Sequence, residues 1–236
     1  MSDLIPQLTQ QFFNGLSLGA IYALIAIGYT MVYGIIGMIN FAHGEFYMIG
    51  AYVGVVTLTA IGTNSGLPAP FIIAAMLLVA VAVTGVYGFT IERVAYRPVR
   101  GSQRLVALIS AIGMSIFLQN WVALGQRARD MAVPALISGA VQFHMGSSFD
   151  ITIPYSRIMI IVVTVLLMIG LTVFIKHSRM GRASRTCSQD MHMANLLGID
   201  TNRVISFTFV VGAMLAAVRG VLIAVTIGKL NPFIGF

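Results

Sequence analysis

Chemistry needs ionisable or nucleophilic side chains gathered at workable spacing, and this sequence offers few. Four histidines occur, His43, His144, His177 and His192, and none stands in an HExxH or comparable metal-ligand spacing. Cys187 is the single cysteine; it has no convincing histidine partner in its local sequence, and alone it forms no intrachain disulfide. No GxxxxGK[ST] phosphate loop is present, so the chain does not hydrolyse ATP in that way. No catalytic residue, metal ligand or cofactor is expected.

Two polar features in apolar surroundings carry more information. Asn40, His43 and Glu45 lie together in NFAHGE at 40–45, between two hydrophobic runs. One reading is structural: Asn40 caps the following helix and Glu45 complements its positive end. The other is functional: a broken helix exposes backbone groups and a carboxylate to a water-filled path. Both stand on the residues alone. Arg219 lies deep in the run 204–227 with no acid in the same segment. An arginine there costs about 2.5–3.5 kcal/mol unless it is paired or snorkels. Reach to the outer interface is the expectation, with Glu45 on the opposite face a poorer partner.

The elements that must position these residues follow from composition. With 58% hydrophobic and 9% charged residues and a mean hydropathy of +0.93, the apolar surplus must face lipid. The apolar runs lack the ten-residue alternation of membrane barrels, so helices are the form that satisfies the backbone. The fold class expected is all-α, a polytopic transmembrane bundle forming a single domain over 1–236.

About six spans are read, at 12–39, 46–61, 71–91, 105–124, 157–175 and 204–227. The first would rise about 42 Å against a hydrocarbon core of roughly 30 Å. It is therefore tilted or broken, with Gly28, Gly34 and Gly37 as candidate breaks. Pro98 and Gly101 are expected to prevent a continuous helix through 92–104. The segment 125–155 ends in a pattern open to either a hairpin or a surface helix.

Charge sets the orientation. Arg93, Arg97, Arg100 and Arg104 crowd 92–104, and Lys176, Arg179, Arg182, Arg185 and Arg203 crowd 176–203. Arg127 and Arg129 fall in the long loop on the other side, with Arg157 at its edge. The positive-inside rule puts both basic loops in the cytoplasm, NFAHGE inside and the N-terminus outside. The net charge of +7 records insertion topology, and the partner it implies is membrane lipid, with no nucleic acid. The opening residues lack the positive region of a signal peptide. Gly15 with Gly19 and Gly50 with Gly54 have the spacing that lets helix backbones approach.

Three stretches carry a family resemblance: IGYTMVYGIIGMINFAHGEFYMIGAY at 27–52, IERVAYRPVRGSQRLVALISAIGMSIFLQN at 91–120, and SRMGRASRTCSQDMHMANLLGIDTNRVISFTFVVGAMLAA at 178–217. Together they resemble the LivH-type permeases of bacterial branched-chain amino-acid ABC transporters, over nearly the whole chain. The resemblance implies an inner-membrane importer permease, paired with a second permease subunit, two cytoplasmic ATP-binding subunits and a periplasmic amino-acid-binding protein. Leucine, isoleucine and valine would be the substrates. Other small amino acids or amides are the alternative cargo, and a truncated, non-transporting subunit with only an assembly role is the alternative function.

Within that family the loop 181–203 looks like the coupling helix that engages an ATPase. The matching residues are Gln189, Asp190, Ala194, Leu197, Gly198 and Ile199. A helix over 188–197 with Met191, Ala194, Asn195 and Leu197 at roughly helical spacing, ended by Gly198, fits that role. On composition alone an amphipathic segment lying on the headgroups fits equally; the resemblance favours coupling. For the translocation path, Gly34, Gly37, Asn40, His43 and Glu45 are the candidates.

Two departures from the family are visible. Its members continue past the NPFIGF at 231–236, so the chain reads as short by roughly a quarter. The family pattern also has a small residue at Arg219, so Arg219→Ala is expected to raise the yield of folded protein; an unchanged or lower yield would mean that the arginine has a partner.

Overall fold

A computed structural model describes residues 4–37, 40–62, 66–125, 130–134, 136–137, 139–143, 151–231 and 233. Arg127, Arg129 and His144 lie outside the described residues, as does the side chain of Arg104.

Among the described residues six helices are long and apolar enough to cross a membrane. They include α1 (Leu4–Ile36), α2 (His43–Ile61), α3 (Ala69–Ile91) and α4 (Arg104–Gly125). A short strand β1 (Met131–Ala132) follows, then a hairpin of β2 (Ala140–Phe143) and β3 (Ile151–Pro154). The fifth span is α5 (Tyr155–His177); two short helices, α6 (Arg179–Gln189) and α7 (Met191–Leu196), join it to α8 (Thr201–Ile227), and β4 (Lys229–Leu230) is the last described element.

Several boundaries differ from expectation for identifiable reasons. The first helix is continuous and begins earlier, at Leu4. Its break comes at Gly37, where φ of +69° is a conformation other residues adopt only with strain, and not at Gly28 or Gly34. The third span does not stop before Pro98. It runs on as a π-helical turn over Glu92–Tyr96 and a 3₁₀ turn over Arg97–Val99. Proline is tolerated in that new first turn because its missing N–H is not needed there. Residues 140–143 and 151–154 pair as antiparallel strands, the hairpin alternative, from Ala140 with Pro154 to Phe143 with Ile151.

The span ends sort into two groups. Gln10 on α1 both donates to Thr152 O (3.0 Å) and accepts from Thr152 N (2.9 Å), holding the hairpin at the start of α1. On that same side β1 pairs with β4 beyond the end of α8. At the other end, Arg100 after α3 donates to Asn202 at the start of α8 (3.1 Å). This alternation is what six consecutive spans require.

The centre of the bundle is α2 against α8, both buried over most of their length. Small residues bring them together, as expected where lipid supplies no apolar drive for helix association. A side chain at Gly50 would overlap the backbone of Ala217, one at Gly54 would come within 2.8 Å of Val221, and one at Gly220 would strike the Tyr47 carbonyl. Gly88 on α3 approaches Ala213 in the same way. Gly15 and Gly19, by contrast, have nothing within 4 Å of an added Cβ. The outer helices α4 and α5 present Ile109, Ile116, Leu166 and Ile169, all well exposed, as an apolar surface for lipid or another membrane protein.

Candidate functional site

The chain between α1 and α2 does not stay at a membrane face. His43 packs against Gly28 of α1 and near Gly212 of α8, and Gly212 is 11 residues beyond the start of α8 at Thr201, a rise of roughly 16 Å. The N-terminus of α2 therefore opens inside the bundle, between α1 and α8 and well along α8 from its start. The sequence reading placed NFAHGE at the inner face; small residues at Gly28 and Gly212 make room for it much deeper.

Asn40, His43 and Glu45 are 3%, 2% and 1% exposed. Asn40 Oδ1 accepts from the Ala42 N–H (3.1 Å) and from the Tyr96 hydroxyl (2.5 Å). This fixes the turn into α2 and ties it to the π-helical turn after α3, where Tyr96 also packs on Phe209. His43 lies over Tyr29 at 4.5 Å between ring centroids. Glu45 Oε1 accepts from Ser115 of α4 at 3.0 Å. Among the described residues Asn40 Nδ2, His43 Nε2 and Glu45 Oε2 have no partner. Such a group buried in an apolar bundle costs free energy unless water or a ligand completes it.

The three side chains surround the first turn of α2 without sharing one pocket. His43 faces α1, Asn40 faces Tyr96 and Glu45 faces α4. Gly34 and Gly37 stay outside the cluster, both exposed. Above Glu45, Ile49, Tyr52 and Val56 continue the same helix face at i+4, i+7 and i+11. They line a groove of about 420 Å³ between α2, α3 and α4, with Tyr87 and Trp121 on its other walls. Sequence reasoning missed the groove, because its walls come from three segments separated along the chain; the 45, 49, 52, 56 spacing was its only local sign.

Arg219 is half-buried and finds an aromatic partner on α2. Its guanidinium carbon lies 4.1 Å from the centroid of the Tyr47 ring, a cation–π contact worth about 2 kcal/mol when desolvated. The close approach to α2 is made by the next residue, Gly220.

The basic loops also differ from a simple topology signal. Arg100 is turned inward onto Glu92, which is 0% exposed, and Ser206 donates to the other Glu92 oxygen at 2.5 Å. Burial pulls the Arg100 guanidinium below its ordinary range while Glu92 opposes that shift. Glu92 was given no role from sequence; an acid eight residues before an arginine across a proline carries no periodic signature.

The expected helix over 188–197 is instead two. Gln189 ends α6, and Asp190 breaks the chain and caps α7 by accepting from His192 N (2.8 Å) and Met193 N (3.0 Å). Gly198, with φ of +81°, ends α7 as expected. Ala194 is 0% exposed and faces the bundle, so it anchors the segment. Met193, Leu196 and Leu197 point outward, the last two 71% and 75% exposed. Asn195 accepts from Thr201 at 3.0 Å, which ties α7 to the start of α8. Ser178 caps α6 by accepting from Gly181 N at 2.8 Å, and Arg182 donates to His177 O at 3.0 Å. Buried Cys187 secures the inner face of α6, and burial pushes its thiol pKa up.

Comparison with known proteins agrees with this architecture. The family model for the permease component of branched-chain amino acid transport systems matches residues 11–236. The high-affinity branched-chain amino acid transport system permease protein LivH of Salmonella typhimurium is 55% identical, covering 100% of this chain and 77% of its own length. The corresponding BraD protein of Pseudomonas aeruginosa is 54% identical over 96% of this chain and 74% of its own length. A probable LivH permease of Methanocaldococcus jannaschii is 25% identical over 84% of this chain. No solved structure matches. On the family match and the high identity of these relatives, this multi-pass membrane protein belongs to the permease components of branched-chain amino acid transport systems.

Proposed function

We propose that this chain is the inner-membrane permease subunit of an ATP-driven importer of leucine, isoleucine and valine. Its N-terminus is periplasmic, and residues 1–236 act as one transmembrane permease domain. It pairs with a second permease subunit, two cytoplasmic ATP-binding subunits and a periplasmic amino-acid-binding protein, and carries out no covalent chemistry itself.

The observation that carries this reading is Glu45, whose carboxylate oxygen Oε2 is buried without a partner among the described residues, one helical turn before Ile49 at the edge of a mainly apolar groove. A branched-chain amino acid is a zwitterion with an apolar side chain. Ile49, Val53 and Val56 offer that side chain a wall, and the Glu45 carboxylate offers the ammonium group a charge-assisted hydrogen bond. The positive N-terminal end of α2, in whose first turn Glu45 lies, is placed to receive the carboxylate. Within the path, therefore, Asn40, His43 and Glu45 form the polar step; Gly37 releases the chain into it and Gly34 lies beside it. The second permease closes the open side of the groove.

Coupling uses α6 and α7. Met193, Leu196 and Leu197 enter a groove on the ATPase, with Gln189, Asp190, Gly198 and Ile199 shaping the turn at either end, while Ala194 holds the segment to the bundle. The basic residues Arg93, Arg97, Arg104, Arg179, Arg182 and Arg185 keep this face in the cytoplasm. A push on α7 passes through Asn195 and Thr201 into α8, and α8 packs along α2 above its polar first turn.

The test is ATP-dependent uptake of labelled leucine into proteoliposomes holding the permease, its second permease, the ATPases and the binding protein. Uptake that is lost in Leu197→Asp together with ATPase association supports coupling. Association without any uptake in the unaltered protein would instead assign it an assembly role.

A further inference from the structure

Two hollows on the α3–α5–α8 face meet at Phe207, which lines both, and their chemistry differs sharply on its two sides. The first, about 460 Å³, lies at the cytoplasmic end of the bundle between the turns after α3 and the start of α8. Arg93 and Arg97 form one wall, Arg203 and Asn202 the other. Asp200 is the one carboxylate in the lining, and it is held by Arg203 at 3.0 Å on the surface. The lining thus keeps a net positive charge. Arg100 adds nothing to it, being turned inward onto Glu92.

The second hollow, about 370 Å³, is almost wholly apolar and runs between α5 and α8 past Val81 of α3. Phe207 lines both hollows and stacks with Phe174 at 5.6 Å between centroids. From Phe207 the groove continues past Val211 and Met214 to Val218. Those 11 residues of helix rise roughly 16 Å, close to half of a hydrocarbon core of about 30 Å.

We infer that this composite site binds one anionic phospholipid of the inner leaflet. Its phosphate sits among Arg93, Arg97 and Arg203, and an acyl chain lies in the groove between α5 and α8. Arginine forks suit phosphate oxygens, and basic pockets at the cytoplasmic ends of spans are suited to acidic headgroups. The groove makes the ligand a lipid and not a free phosphate, because one leaflet of apolar wall leads directly from the cationic pocket. The site uses the cytoplasmic orientation proposed above and is independent of what the permease transports.

Native mass spectrometry of the delipidated permease in detergent, titrated with phosphatidylglycerol and with phosphatidylcholine of the same acyl chains, tests this. One phosphatidylglycerol per chain should be retained at least tenfold more tightly than phosphatidylcholine. Replacing Arg93, Arg97 and Arg203 together by Gln should weaken it on the order of a hundredfold, from about fivefold per arginine. The equal charge change Arg179→Gln, Arg182→Gln and Arg185→Gln should leave it unchanged. Val211→Trp, or Leu171→Trp from the opposite wall, fills the groove without altering charge and should also weaken binding; circular dichroism and gel filtration confirm that each variant is folded.

Equal loss in both arginine triples would reduce the site to diffuse attraction and overturn the inference. Indifference to both tryptophan variants, or displacement of the lipid by millimolar glycerol phosphate, would leave only an anion pocket and also overturn it. So would release of the lipid when the second permease binds, since this face would then be a protein interface.

Discussion

Removing the Arg100 guanidinium should destabilise the permease far more than removing a neighbouring arginine. Glu92 is 0% exposed and Arg100 is its cationic partner. In Arg100→Ala the carboxylate keeps only the Ser206 hydroxyl and loses the charge that offsets its desolvation. Breaking a buried pair in this way costs about 3–5 kcal/mol. For a chain of this size, about 2–4 °C per kcal/mol converts that cost to a fall in Tm of roughly 6–20 °C. Arg97→Ala, at an exposed position of the same turn, should stay within about 0.5 kcal/mol. The assay is thermal unfolding of purified protein in detergent, followed by circular dichroism with gel filtration as the check on aggregation. The double variant Glu92→Gln with Arg100→Gln should recover more than half of the loss, because neutral amides need no compensating charge. A shift below about 2 °C for Arg100→Ala, or a double variant worse than the single, would refute the reasoning.

Gly220→Leu should sharply reduce folded protein, since a side chain there meets the Tyr47 carbonyl and the Ala51 backbone, whereas Gly15→Leu, facing open space, should express normally; gel filtration of matched preparations decides. Arg219→Ala should leave the yield unchanged or lower it, reversing the expectation drawn from the family pattern, because the arginine stacks on Tyr47; a higher yield would show that this contact does not offset the cost of burying the charge. Cys187 should react with N-ethylmaleimide at least tenfold more slowly in the native protein than in SDS. Its raised pKa keeps the folded thiol neutral through the ordinary thiol range near pH 8.5, so the contribution of the neutral thiol to stability is complete below that range and is lost as pH rises through it.

The spans were legible because each is a long apolar run, and a bilayer leaves the backbone few choices. The alternation of their ends between two sides follows from the count of spans. What stayed hidden was depth. NFAHGE is polar and so read as a surface interruption, yet Gly28 and Gly212 allow it to open α2 within the bundle. Nothing local in 40–45 distinguishes those two placements; the distinction lies in small residues on α1 and α8. The segment proposed for coupling reads in sequence as one helix over 188–197, whereas the structure has two. Asp190 both ends α6 and caps α7, and in sequence it resembled a polar residue within a single amphipathic turn. Arg219 illustrates the same limit, since its partner Tyr47 lies 172 residues away in sequence.

The central proposal is that Glu45 meets the substrate ammonium group at the edge of the α2–α3–α4 groove. Its most direct test is labelled-leucine uptake by reconstituted complexes carrying Glu45→Gln, which keeps the size and the Ser115 contact but removes the charge. Uptake should fall at least tenfold, from a charge-assisted hydrogen bond of about 1.5–3 kcal/mol, while complex assembly and ATPase association stay intact. Unchanged leucine uptake in that variant would contradict the account.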